Sequence, residues 1–123
     1  MPSYRPKRVA EMVHKEVSHR LRVEIKDPRI SSISITNVEV SRDLQGAVIS
    51  YLPLGGGVPS EELLAGLSDA ARRLRGPIGR ALRLRRAPNL HFVYDSNFED
   101  AIRVSNLLDR LGAQRNENAE GEE

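Results

Sequence analysis

A cluster of arginines is the feature of this sequence most able to do chemistry. Seven arginines and no acidic residue lie between Ala70 and Tyr94 of the 123-residue chain. A charge run is often no more than a solvated face, but seven cations with no interleaved acid repel one another. Basic patches of this kind attract polyanions, nucleic acid above all. The cluster therefore predicts a polyanion-binding site.

A tetrad inside the cluster makes that prediction more specific. Residues 76–79 read GPIG, and a Gly-x-x-Gly tetrad between two helical patterns is typical of the backbone clamp of a KH domain. The alternative is two ordinary glycines around Pro77. A break at Pro77 would start a new helix, and the free N–H groups of its first turn could bind phosphate. Alternatively, the break would serve only to fold two helices onto a sheet. The pattern leaves these alternatives open.

Other reactive patterns are missing from the sequence. The chain has no cysteine, which removes disulfides and thiolate chemistry and fits a reducing compartment. His14, His19 and His91 lack the spacing of metal ligands. The glycine run at 55–57 lacks the Lys-Ser/Thr ending of a phosphate-binding loop. We therefore expect no enzymatic activity, no metal and no cofactor.

The charge is unevenly distributed along the chain. The net charge is +2, but residues 112–123 hold one Arg and four Glu, a net charge of −3, so residues 1–111 carry +5. This tail has almost nothing apolar to bury and is predicted to be disordered. No apolar run reaches the roughly 18 residues of a membrane span. We expect a cytoplasmic protein, away from membranes, with one domain over residues 1–111 and an acidic tail over residues 112–123.

Apolar spacing predicts the elements of the first half. Residues 6–25 carry a stripe at i, i+4 spacing and predict a helix that ends at Asp27–Pro28. The β-branched segments 33–40 and 47–52 predict two strands paired as a hairpin. The side-chain alternation changes phase within the first of them, which predicts a bulge near Asn37.

The second half predicts helix, strand and helix. Ser60 is a fair N-cap for a long helical pattern whose phase runs through GPIG to Leu82. In that pattern leucines occupy one face and most of the arginines the other, with Arg85 as the exception. Residues 89–95 predict a third strand, and residues 98–111 a last helix capped by Ser96 or Asn97. The predicted order is α-β-β-α-α-β-α, with a small mixed sheet covered by helices on one face.

The order and spacing of short motifs resemble those of the ribosome-binding factor A family over residues 5–111. The matching segments are RPKRVAEMVHKEV at 5–17, IKDPR at 25–29, SRDL at 41–44 and RVSNLL at 103–108. The resemblance implies a type II KH-like domain, of α+β class, with a C-terminal helix. It also implies binding to the free, immature small (30S) ribosomal subunit near the neck, close to the 3′ end of 16S rRNA.

The resemblance implies a role as well as a fold. The family supports late maturation and 5′-end processing of 16S rRNA and growth in the cold, and a late-acting GTPase accompanies its release. A monomer without catalytic activity is expected. The alternatives of another class are an RNA-processing hydrolase and a general single-strand nucleic-acid binder, and the scarcity of aromatic residues for base stacking argues against the latter.

The resemblance also locates an interhelical kink. The family has no Gly-x-x-Gly loop. Its two helices meet instead at a kink with the pattern Ala-x-Gly, and this pattern precedes an Ile/Leu-Arg pair. Leu74–Arg75 fits that pair, which places the kink at Ala70, Ala71 and Arg72, with Arg72 where the family has Gly. GPIG then lies inside the third helix, near its first turn, and only resembles a KH clamp. The predicted RNA-contacting residues are Arg5, Lys7, Arg8, Lys26, Arg29, Arg42, Arg72, Arg73, Arg75, Arg80, Arg83, Arg85 and Arg86.

Overall fold

The elements fall largely where the apolar pattern predicts them. The structure is a computed structural model that describes residues 6–30, 32–96 and 107–111. The order is α1 (Pro6–Val23), β1 (Ile33–Val40), β2 (Gly46–Pro53), α2 (Glu61–Ala81) and β3 (Asn89–Tyr94), and residues 107–111 are helical. The predicted α+β class is confirmed. Among the described helices, none is long and apolar enough to cross a lipid bilayer.

The three strands form one mixed sheet in the order β1-β2-β3. The hairpin is confirmed, since β1 and β2 pair antiparallel, and β3 adds parallel to β2. The register shifts between Ile35 and Asn37, so the predicted bulge is confirmed too. The extra residue lets Ile35, Val38 and Val40 pack into the same core, which a regular strand would not allow.

The central strand is buried on both of its faces. Ala47 and Ile49 pack with α1 and α2, whereas Val48 packs with Leu108 on the opposite face. The prediction that helices cover only one face of the sheet is therefore wrong. The reason is the continuous apolar run of β2. If one face of the sheet were left uncovered, Val48 would be exposed to water.

One helix replaces the two that Pro77 predicts. Residues 61–81 form a continuous α-helix with Pro77 inside it, so the α-α step and the interhelical break at Ala70–Arg72 or at Gly76–Pro77 are both wrong. A proline in a helix interior costs about 3 kcal/mol. Ile78 and Leu82 beyond it are 0% and 3% exposed, and each fully buried side chain contributes about 1.5–3 kcal/mol. Burial of the stripe thus outweighs the cost of the proline.

Capping residues hold both ends of α2. At the start, the Leu63 amide donates to Ser60 Oγ at 3.1 Å, which confirms the predicted N-cap. At the end, the amides of Arg83 and Leu84 donate to the carbonyls of Arg80 and Gly79, which is the Schellman pattern. Arg83 occupies the left-handed position of that motif with φ 55°, where glycine is usual.

The remaining expectations for the C-terminus fall mostly outside the described residues. Of the helix predicted over 98–111, only residues 107–111 are described, and they are helical. The predicted cap at Asn97 and the acidic tail 112–123 lie outside the described residues.

Candidate nucleic-acid interface

Arg80 and the exposed arginines of the loop that follows α2 lie together at one end of the sheet. Arg80 lies in the last turn of α2, and the Schellman motif turns the chain directly after it. The loop 82–88 then lies against the β1–β2 turn, and a shallow hollow between them is lined by Asp43, Leu44, Gln45, Leu84, Arg85 and Arg86. The amide of Asn89 fixes this contact by donating to the Gln45 carbonyl at 2.9 Å.

We call this surface the basic end. It consists of Arg42, Arg80, Arg83, Arg85 and Arg86. All five are exposed, and none of them forms an ion pair within the described part of the chain. The cations also suit the C-terminus of α2, whose last carbonyls carry partial negative charge. Their guanidinium groups are therefore free to bind an anion.

Two further predicted residues lie toward the same end. The C-terminal part of α1 is beside the start of β1, where Leu21 and Arg22 share a hollow with Ile33. Because α1 packs along β1, its first turn lies toward the β1–β2 turn. Lys7 and Arg8, both exposed, thus approach the basic end, whereas Arg5 is outside the described residues.

Other predicted arginines are engaged by the protein itself. The Arg29 guanidinium donates to Asp27 at 2.6 Å and to Asp69 at 2.8 Å. Arg72 pairs with the second oxygen of Asp69. Arg75 is half-buried and donates to the carbonyl of Ala87 at 3.3 Å. An RNA phosphate would have to replace these partners, so Arg29, Arg72 and Arg75 are less available than the basic end.

The ion pairs shift the ionisation of both carboxyl groups. Hydrogen bonds from Arg29 lower the pKa of Asp27 to about 2, with a smaller contribution from the charge of Arg73. Hydrogen bonding by Arg29 and the nearby charge of Arg72 lower the pKa of Asp69. Both acids therefore remain charged at neutral pH and keep the local potential less positive than at the basic end.

A glycine on α2 allows the loop after α1 to approach. A Cβ built on Gly66 would lie 2.9 Å from Ile30 Cγ1 and 3.2 Å from Arg29 Cβ. Only glycine leaves room for this loop, and the contact brings Arg29 within reach of Asp69. Gly66 and Asp69 were missed as site-shaping residues, although an Asp three residues before Arg72 is a recognisable helix pair.

A second concave surface lies between α2 and β3. Its volume is about 540 Å³, and Leu64, Leu67, Ala71 and Phe92 supply much of its apolar wall. The Tyr51 hydroxyl is buried there without a hydrogen-bond partner among the described residues, and burial raises its pKa. The cations at its rim are Arg72 and Arg75, which already have partners within the protein.

The remaining predicted residues are scattered. Lys26 is exposed in the loop after α1, at the opposite end of the molecule from Arg83. Arg73 is exposed on the same face of α2 as Arg80, since seven residues separate them. The described residues contain no group of three or more His, Cys, Asp or Glu side chains arranged to hold a metal ion.

The GPIG tetrad forms part of α2 and not a loop. A Cβ on Gly79 would lie 3.0 Å from Ala87 Cα, so this glycine allows the loop 82–88 to fold back onto the helix. Apart from its chain neighbours and the backbone of its own helix, a Cβ on Gly76 would meet the side chain of Arg80. GPIG is therefore not a KH-type clamp, in agreement with what the resemblance implies, whereas its expected place near the first turn of a third helix is wrong, because it lies near the end of α2.

The fold and the site together define a small basic α+β domain with a three-stranded mixed sheet. The family model described as "Ribosome-binding factor A" matches residues 5–108, so the chain belongs to the ribosome-binding factor A family. The family predicted from the motifs is confirmed.

Individual relatives agree with that assignment. The ribosome-binding factor A of Desulforamulus reducens is 41% identical over 112 residues, which cover 91% of this chain and 93% of the relative. The crystal structure of ribosome-binding factor A from Thermus thermophilus shares the fold, with a TM-score of 0.63 and 24% identity over 74% of this chain and 97% of that one. A homology model of the Thermus thermophilus protein, fitted into a cryo-EM map of its complex with the 30S subunit, gives a TM-score of 0.56 and 25% identity over 68% and 88% of the two chains.

Proposed function

We propose that this protein binds the free, immature 30S ribosomal subunit and contacts 16S rRNA through the basic end. The observation that carries the proposal is the coincidence of family membership with five exposed, unpaired arginines at one end of the sheet. The Thermus thermophilus relative is described in complex with the 30S subunit. RNA phosphate is the natural ligand for such a surface, because each contact releases bound counterions.

The role in maturation is that of a non-enzymatic rRNA chaperone. Arginine remains charged at any physiological pH and neither takes nor gives a proton. A surface of arginines therefore suits holding RNA and is unsuited to acid–base cleavage. By binding 16S rRNA late in assembly, the protein keeps the 5′ end in a form that separate nucleases can process.

The proposal also includes where the protein binds on the subunit and when it leaves. The protein binds as a monomer in the cytoplasm, at the neck near the 3′ end of 16S rRNA, and leaves when a late assembly GTPase acts. We expect the protein to contribute most to growth in the cold.

Sedimentation of cell extracts tests this function. We expect the protein to co-sediment with free small subunits and to be absent from translating ribosomes. Equal occupancy of the two pools would contradict the proposal. Incubation of purified protein with precursor 16S rRNA, with and without magnesium, separates the chaperone from the hydrolase, since cleavage that follows the protein through purification would favour the hydrolase. Equal affinity for unrelated single-stranded RNA would favour a general binder.

A further inference from the structure

We propose that a groove between α2 and β3 binds an extended, acidic segment of another protein, which joins the sheet beside β3 as a fourth strand. The groove is the concave surface of about 540 Å³ that includes Leu64, Leu67, Arg72, Arg75 and Phe92, and we call it the α2–β3 groove. This inference goes beyond the proposed function, because the ligand is a protein and the groove shares no residue with the basic end.

The first argument is the unpaired backbone of β3. The sheet order is β1-β2-β3, so β3 is an edge strand of the described sheet. The amides of Asn89 and Asp95 donate to the carbonyls of Gln45 and Tyr51, on the side of β2. Because successive residues of a strand point their backbone groups to opposite sides, the even-numbered residues of β3 direct their amides and carbonyls away from β2. These outward groups have no partner among the described residues and belong to Leu90, Phe92 and Tyr94.

The two edges of the sheet differ in how they are protected against pairing. β1 carries a bulge between Ile35 and Asn37 and a charged side chain at Glu39, and both features discourage the addition of another strand. β3 reads NLHFVY and keeps a regular register with β2. It contains no lysine, acidic residue or proline, which are the residues that usually protect an edge. β3 is therefore the edge that suits a partner strand.

The second argument is the apolar wall that faces this edge. Leu64 is a large apolar residue on the side of α2 that borders the groove, yet 47% of it is exposed. Leu67 and Phe92 continue the apolar surface. Every second side chain of an added strand points to the same face of the sheet, so apolar residues at alternate positions would cover Leu64. Peptide recognition at a sheet edge takes affinity from main-chain hydrogen bonds and specificity from such alternate side chains.

The third argument is charge. The described residues that line the groove include Arg72 and Arg75 and no acidic residue. Arg72 Nη2 pairs with Asp69, and Arg75 Nε donates to the Ala87 carbonyl at 3.3 Å. A guanidinium has five N–H donors, so both side chains keep donors for a carboxylate while their partners in the protein hold them in place. The ligand therefore carries an acidic residue.

The two ends of the groove set the direction of the ligand. Arg75 contacts Ala87, which lies two residues before β3 begins. Leu67 packs in a cluster that includes Tyr94, at the other end of the strand. Antiparallel pairing is the more stable arrangement per residue, and it places the C-terminal part of the ligand near Arg75. We therefore expect alternate apolar residues followed by Asp or Glu.

The pattern of donors and acceptors favours a protein over RNA. Every second residue of the edge offers one amide and one carbonyl, and a peptide backbone matches them with its own carbonyl and amide. The RNA backbone presents phosphate acceptors and no regular series of donors. Proteins that bind single-stranded RNA stack bases on aromatic rings. In the groove, the rings of Tyr51 and Phe92 pack edge to face against each other, with centroids 6.3 Å apart, and Tyr51 is fully buried.

Selection from a random dodecapeptide library displayed on phage tests the chemistry of the ligand. We expect enriched peptides to alternate apolar and polar residues and to carry Asp or Glu toward the C-terminus. One enriched peptide is labelled with fluorescein and titrated with two variants. Leu64→Glu should weaken its binding at least about tenfold, because the new carboxylate repels an acidic ligand. Val58→Glu is the matched control: Val58 is 81% exposed and does not line the groove, so the affinity should change less than about twofold.

Hydrogen exchange followed by NMR locates the bound peptide. The amides of Leu90, Phe92 and Tyr94 should exchange at least about tenfold more slowly when the peptide is bound. The amide of Val40 should not change, because it lies at the edge of β1, beside Ser41, whose own amide bonds toward β2.

Several results would overturn the proposal. They are the failure to enrich any peptide that protects the β3 amides, the enrichment of basic peptides, and an equal loss of affinity in the two glutamate variants. Protection by a uridine decamer and not by the peptide would make the groove an RNA site instead. Protection that rises with protein concentration in the absence of peptide would make it a contact between two copies of this chain.

Discussion

Arg29 reaches across 40 residues of sequence to Asp69, and its Nη2 donates to Asp69 Oδ2 at 2.8 Å. This bond ties the loop after α1 to the middle of α2. We expect Asp69→Asn to lower the melting temperature by several degrees, because the Arg29 and Arg72 guanidiniums lose their shared carboxylate. Asp109→Asn is the matched control, since Asp109 is exposed and its replacement removes the same charge. Equal melting temperatures of the two variants, measured by circular dichroism, would show that the pair contributes nothing.

The low pKa of Asp27 predicts how stability depends on pH. Its pKa is lowered from 3.8 to about 2 in the folded protein, chiefly by hydrogen bonds from Arg29. The stabilisation is therefore complete above about pH 4 and is lost as the pH falls through 2. In urea unfolding, the free energy of wild type should drop over this window more steeply than that of Asp27→Asn. Parallel pH profiles would contradict the assignment.

The basic end predicts which charge reversals weaken RNA binding. Arg80→Glu with Arg83→Glu should weaken binding to the small subunit at least tenfold and leave the circular dichroism spectrum unchanged, since both side chains are exposed. Affinity falls as the salt concentration rises, and each lost phosphate contact should make the slope of log affinity against log salt shallower by about 0.7–0.9. Lys15→Glu with Arg22→Glu makes the same charge change on exposed positions of α1. If both pairs reduce binding and slope equally, only net charge matters and the basic end is not the site.

The two glycines of GPIG should respond differently to alanine. Gly76→Ala should change the free energy of unfolding by less than about 1 kcal/mol, because the gain in helix propensity is opposed by the contact of the new Cβ with the ring of Pro77. The Arg80 side chain that the methyl also meets is flexible. Gly79→Ala should destabilise it by about 1–3 kcal/mol, because the methyl would lie 3.0 Å from Ala87 Cα. Urea unfolding measures both. Loss of RNA affinity in both variants at unchanged stability would instead support a backbone clamp.

Pro77 lies in the body of α2, which changes what its replacement should do. Pro77→Ala restores a donor for the Arg73 carbonyl and removes the clash of the ring with that carbonyl. We expect the free energy of unfolding to rise by up to about 3 kcal/mol, with RNA affinity unchanged. A loss of stability would mean that packing of the half-buried ring outweighs the backbone term.

The sequence predicted the strands well because their pattern is local. The β-branched run at 33–40 forms β1 with identical bounds, and the phase change within it revealed the bulge. The helix break was mispredicted because Pro77 is a local signal, whereas the burial of Ile78 that overrides it depends on the sheet. Covering both faces of the sheet likewise depends on where Leu108 packs, which periodicity does not reveal.

The site was predicted in outline and not in detail. Counting arginines located the basic segment, but it gave Arg29 and Arg72 the same status as Arg83. The difference depends on Asp69, which lies far from Arg29 in sequence and meets it only because Gly66 leaves room for the loop. A single sequence shows neither that contact nor which guanidiniums remain free after folding.

The parallel pairing of β3 with β2 sets an order of events during synthesis. The β1–β2 hairpin closes through a short turn, so its pairing needs no residue beyond 53. β3 pairs only after the whole of α2 has been made, and closing that longer loop carries the larger entropic cost. The loop 82–88 reaches the β1–β2 turn only at this last step. A growing chain therefore carries its arginines before it has the surface that arranges them.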